Sequence, residues 1–213
     1  MTQRTVVHLL RHGEVDNPEG VLYGRLPGYV LSDLGHEMAQ RAAVALSGHA
    51  IDAVIASPME RAQQTATPIA AVHGLDIITD PRLIEADNVF EGQRVSVGDG
   101  VLRQPRTWKH LTNPFTPSWG EPYVEVAERM GQAIDAARDL VRGGEAVLVS
   151  HQLPIWIARL SAERRRLWHD PRSRQCTLAS ITSLTFSDDE LIAVTYTEPS
   201  RDLVDKASKV AGA

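Results

Sequence analysis

Three apolar runs in the sequence end on polar residues of a narrow set of types. "VVHLL" runs into Arg11 and His12, "DAVIA" into Ser57 and Pro58 with Arg61 close behind, and "EAVLVS" into His151. Two arginines and two histidines brought to one place suit a phosphoryl group. Guanidinium forks match paired phosphate oxygens and hold their charge, so Arg11 and Arg61 could clamp such a group from two sides. A neutral imidazole is a competent nucleophile toward phosphorus, and nearby arginines disfavour its protonation. The second histidine, protonated, would donate to an equatorial oxygen as charge builds in the transition state.

Positioning these side chains is a task for the elements around them. Apolar runs alternate with helical patterns along the chain, which predicts βα units and an α/β fold: a three-layer sandwich with a mostly parallel central sheet flanked by helices. Strands are expected over 5–10, 52–57, 75–80 and 145–150. Ser32 should cap a helix that ends at Gly48, with Leu34, Met38, Ala42 and Leu46 on one face. Ser57 should cap the next, with Pro58 at its first position and Glu60 completing a capping box. A long helix follows over 121–144, then a shorter one from Leu153 to Leu160, and a hairpin turning around Ser187 to Asp189. In open sheets of this kind ligands bind beyond the carboxyl ends of the strands, where Arg11, His12, Ser57 and His151 fall.

At these residues the sequence resembles the histidine phosphatase superfamily, also called phosphoglycerate-mutase-like. "LLRHGE" matches its Arg-His-Gly signature, "SPMERAQQTA" its Ser-Pro, Arg-Ala, Thr-Ala segment, and "VLVSH" its late strand ending in a histidine. The resemblance implies that His12 is the nucleophile, that Arg11 and Arg61 are the phosphate-binding arginines, and that His151 is the second phosphate-binding histidine. It further implies a general acid within "RLIEADNVFEGQ", assigned to Glu85, with Glu121 as the competitor. "YGRLPGYVLSDLG" looks like the family's glycine loop, which makes Gly24 and Arg25 candidate substrate contacts, and Asn17 stands one residue before the family's usual asparagine. Val15 replaces a Thr or Ser, and Gln152 a Gly, so the departures fall on the pocket wall.

The implied function is a phosphatase that hydrolyses phosphomonoesters through a phosphohistidine, needing no metal and no cofactor. The same constellation admits a phosphoglycerate-mutase-like isomerase, or a phospholigand-binding module without turnover. The partner is a small phosphorylated substrate. A net charge of -5 argues against a nucleic-acid partner, and no apolar run is long enough for a membrane span. Arg11 interrupts the first apolar run too early for a signal peptide, and the single cysteine, Cys176, suits a small core residue in a reducing cytoplasm. A homodimer through an exposed edge strand leaves no countable signature. His8, His49, His73, His110 and His169 show no ligand spacing, and "HEMAQ" lacks a second histidine for a zinc helix. The 213 residues are read as one domain, with an aperiodic excursion over 82–119, containing Trp108 and Trp119, as a cap over the site, and a frayed polar tail over 199–213.

Overall fold

Side-chain alternation along the first strand decides the layers of the molecule. In the computed structural model, which describes residues 2–93 and 120–207, that strand is β1 (Arg4–Arg11), buried from Thr5 onward. Successive side chains of a pleated strand face opposite ways. Val7 and Leu9 therefore join a core with Met130, Ile155 and Ile157, while Leu10 joins another with Ala42, Leu46 and Ile69. A strand with a core on each side must be covered on both faces.

The covers are pairs of helices: α1 (Asp33–Leu46) and α2 (Glu60–His73) on one face, α3 (Tyr123–Leu140) and α4 (Gln152–Ala162) on the other. Between them β2 (Ile51–Ala56), β3 (Ile77–Thr79), β4 (Glu145–Ser150), β5 (Ile181–Ser187) and β6 (Glu190–Thr197) complete a six-stranded sheet in the order β3-β2-β4-β1-β5-β6. The four strands from β3 to β1 are parallel, and the β5-β6 hairpin adds two antiparallel strands beside β1. This is the expected three-layer α/β sandwich. No helix among the described residues is long and apolar enough to cross a membrane.

One local expectation is corrected. Ser57 is not the N-cap of α2: the helix starts at Glu60 with Met59 as its N-cap and no side-chain cap bond, while the Ser57 hydroxyl accepts from the Met59 N–H at 3.4 Å and pairs with His151 at 2.9 Å. α1 does stand on Ser32, whose Oγ accepts from the Gly35 N–H at 3.0 Å, and ends with Ser47 as its C-cap immediately before Gly48. Where the polar tail is described, a short helix α5 (Arg201–Val204) presses Leu203, and Ala207 beyond it, against Met38 and Ala179. Residues 82–93 are wall, with Leu83, Glu85 and Ala86 buried; the rest of the supposed cap, 94–119 with Trp108, His110 and Trp119, and the final residues 208–213 lie outside the described residues.

Candidate active site

Parallel registry brings the three strand ends together. Arg11 pairs with Ser150 and Ala56 with Val149, so the residue that follows each strand emerges at one edge of the sheet. Backbone bonds continue the ladder beyond the strands: the His12 N–H donates to the Ser150 carbonyl at 3.1 Å and the Ser57 N–H to Val149 at 2.9 Å. Arg11, His12, Ser57, Arg61 and His151 are all buried, three of them being ionisable groups without exposed surface.

The turn after β1 fixes the His12 ring. Nδ1 of His12 lies 2.7 Å from the Gly13 carbonyl, which can only accept, so Nδ1 carries the proton and Nε2 keeps a lone pair with no partner in the protein. Gly13 is itself held by its N–H to Thr65 Oγ1 at 3.1 Å, and Thr65 donates in turn to the Arg61 carbonyl. Only glycine fits at position 13, since a Cβ there would stand 2.5 Å from the Gly35 carbonyl oxygen. Burial first, then the charges of Arg61 and Arg11, hold the His12 imidazole neutral well below the usual histidine range.

The two arginines are anchored at one nitrogen each and open at others. Arg11 Nη1 donates to the Cys176 carbonyl at 2.8 Å, leaving Nε, and Arg61 Nη2 donates to the Gly24 carbonyl at 2.6 Å, leaving Nε and Nη1. Tyr23 lies under the Arg61 guanidinium, 4.8 Å from ring centroid to carbon. His151 stands 5.2 Å from His12, centroid to centroid, with Nε2 on Ser57 Oγ and Nδ1 unpartnered. In the free site burial first, then Arg61, His12 and Arg11, hold the His151 imidazole neutral. It still offers an Nδ1–H when the Ser57 hydroxyl donates to Nε2. Buried polar atoms without partners are rare in folded proteins, and here they concentrate on one small volume.

Glu85 completes that volume. Its Oε1 accepts from the Ala86 N–H at 2.8 Å, Oε2 is buried without a partner, and burial raises its pKa against the opposing pull of the Ala86 N–H, Arg61 and Arg11. The competitor Glu121 is placed otherwise: Arg129 grips both its oxygens and Arg25 a third contact, so the carboxylate is spent on the wall. Arg25 donates to the Glu85 carbonyl and to Glu121, which ties the 24–25 loop to both glutamate segments. The Asn17 amide closes the 17–21 turn, donating to the Val21 carbonyl and accepting from the Val21 N–H. Gly24 has a φ of +40° and its carbonyl accepts from Arg61 Nη2. Cys176 is a core residue whose thiol burial pushes up to about 11.

Beyond Glu85 opens a cleft of about 100 Å³ whose walls include Leu22, Asn88, Tyr123, Leu153 and Arg174. Arg174 donates to Nε2 of His169 at 2.9 Å, and His169 stacks on Tyr123. The sequence reading missed Ser57 as the partner of His151, Tyr23, and this Arg174-His169-Tyr123 wall. No local spacing announces them, because each pair is joined only by the fold.

A family model described as Histidine phosphatase superfamily (branch 1) matches residues 7–199. Over 199 residues, 93% of this chain and 98% of the relative, the sequence is 58% identical to the uncharacterized protein Rv0525 of Mycobacterium tuberculosis. It is 34% identical over 155 residues, 70% of each chain, to the probable phosphoglycerate mutase GpmB of Cronobacter sakazakii. Among solved structures, the mycobacterial glucosyl-3-phosphoglycerate phosphatase Rv2419c superposes with a TM-score of 0.71 at 25% identity, covering 93% of this chain and 98% of that one.

Proposed function

The chain belongs to branch 1 of the histidine phosphatase superfamily, and on that premise we propose that it is a metal-independent phosphatase acting on small phosphomonoesters. The observation that carries the reading is the bare, buried Nε2 of a neutral His12 among the open donors of Arg11, Arg61 and His151. Nε2 attacks phosphorus while the bond to the leaving oxygen breaks, and Glu85, protonated through its Oε2, gives that oxygen its proton. The product is a phosphohistidine and a free alcohol. Water then attacks the same phosphorus, Glu85 takes its proton, and the phosphorus-nitrogen bond breaks to release phosphate. Charge growing on the equatorial oxygens is met throughout by two guanidinium groups and an imidazole, each such donor worth about 3 to 4 kcal/mol, so no step calls for a cation. The cleft beside Glu85, with Arg174 and Tyr123 on its wall, suits the substrate's organic part.

Hydrolysis of p-nitrophenyl phosphate should persist in EDTA and fall by about 10,000-fold or more in His12→Ala, the loss typical of removing a nucleophile. Full turnover by His12→Ala would overturn the mechanism. The likeness to a probable phosphoglycerate mutase favours a second reading, an isomerase that returns the phosphoryl group to another hydroxyl. Interconversion of 2- and 3-phosphoglycerate by the native protein, without matching phosphate release, would establish it instead.

A further inference from the structure

We propose that His8, His49 and Glu145 form a binding site for a divalent transition-metal ion of the Zn²⁺ type, separate from the phosphoryl site. The three residues are far apart in sequence, and only the sheet unites them: β1 carries His8, β4 begins with Glu145, and the loop between α1 and β2 supplies His49. Nε2 of His8 and Nδ1 of His49 converge on the same oxygen, Oε2 of Glu145, at 2.9 and 2.8 Å, and all three ligand atoms lie within 4.8 Å of one another. Two imidazole nitrogens and one carboxylate oxygen are a donor set suited to Zn²⁺ and its neighbours, with bonds of about 2.0 to 2.2 Å. A tetrahedral ion at such distances holds its ligand atoms about 3.4 Å apart. The nitrogen-oxygen pairs must therefore open by about half an ångström, a movement that the partly exposed Glu145 carboxylate can make away from the fixed His8 ring and that His49, on its half-exposed loop, can follow.

The surroundings are those of a ligating histidine and not only of a hydrogen-bonded one. Nδ1 of His8 lies 2.8 Å from Ser183 Oγ, an oxygen partner on the ring nitrogen turned away from the ion, which is the usual device for fixing tautomer and ring orientation at a metal. The ring is locked besides, since His8 is buried in the middle of the sheet. Next to the cluster is a cavity of about 370 Å³, with His8, His49 and Ser183 on its walls, which gives an ion a path of entry and water a place in the fourth position. Arg4 meets the other oxygen of Glu145 at 4.0 Å and is two-thirds exposed, free to swing aside.

Glu145 and His151 stand at opposite ends of β4, six residues or about 20 Å apart. An ion here fastens β1, β4 and the α1-β2 loop together and takes no part in phosphoryl transfer.

Zn²⁺ titrated calorimetrically into EDTA-dialysed full-length protein, in a buffer free of phosphate, should bind at one equivalent per chain and raise the melting temperature. His49→Ala and Glu145→Gln should each weaken binding at least about tenfold, and Ser183→Ala, which spares all three ligands, by about 10- to 100-fold. His36→Ala, on the exposed face of α1, should bind as the native chain does and controls for non-specific loss. Absence of Zn²⁺ binding by the native protein would overturn the site. So would binding that survives in His49→Ala and disappears in His12→Ala, since the ion would then belong to the His12-His151 pair.

Discussion

At the scale of single residues, the site is built from groups whose partners are missing by design of the fold. His12 gives one ring nitrogen to a carbonyl and keeps the other bare; Glu85 gives one oxygen to an N–H and keeps the other buried. That buried oxygen makes Glu85 a stronger candidate for proton transfer than Glu121, whose oxygens are held by arginines. Glu85→Gln should lower turnover of an alkyl phosphate by about 100- to 10,000-fold, and of p-nitrophenyl phosphate by less in the first step, because that leaving group departs without a proton. The same substitution should stabilise the protein at high pH. The folded-state pKa of Glu85 is raised above 4.5, so the folded form keeps a proton that the unfolded chain has released, and stability present below 4.5 is lost as pH rises through the folded value. The melting temperature of Glu85→Gln, measured against native protein, should gain more at pH 8 than at pH 5. The meeting of Arg11, His12 and His151 was legible in the sequence because each stands at the end of a buried strand, and parallel strands end at one edge of the sheet. Ser57 was misread, since a serine before a proline and a helix looks like a cap whether or not a histidine claims its hydroxyl.

At the scale of elements, what matters is how closely backbones approach. The turn bearing His12 rests against the first turn of α1, where Gly13 and Gly35 face each other without side chains between them. A Cβ on Gly35 would run into the Glu14 backbone, so the helix must move or the turn must. Gly35→Ala should therefore cost about 1 to 3 kcal/mol in a denaturant titration, the range for overpacking, and lower turnover as well by displacing His12. An unchanged stability would mean that the two backbones part easily. Strands read well from the sequence: the limits of β4 agree with its apolar run, and β1 extends its run by one residue at each end. Helix ends read less well, because capping rules weigh local hydroxyls and the fold redirects them. The tail's polar composition gives no hint that Leu203 and Ala207 pack with Met38.

At the scale of the whole molecule, burying so many ionisable groups at one sheet edge ties stability to pH. His12 and His151 are both held well below the usual 6.5, so on acidification the unfolded chain takes up protons that the folded site refuses. The stability they permit is full above 6.5 and falls as pH drops below it. The melting temperature should fall between pH 7 and pH 5, and fall less in His151→Asn; equal falls in both proteins would assign the acid sensitivity elsewhere. The α/β class was legible at this scale, since alternating apolar runs and helices admit few architectures. Strand order was not, because nothing local says that β4 inserts between β1 and β2, and with that order went the meeting of His8, His49 and Glu145.

That order also sets a timetable. β1 leaves the ribosome well before its two neighbours, β4 and β5, which are made only as translation reaches residues 145–150 and 181–187. At about 5 to 20 residues per second the wait is on the order of ten seconds. Until β4 is made "VVHLL" has neither sheet partner, so the apolar segment that leads into Arg11 and His12 stays open to misassociation in the nascent chain and gives a chaperone reason to hold it.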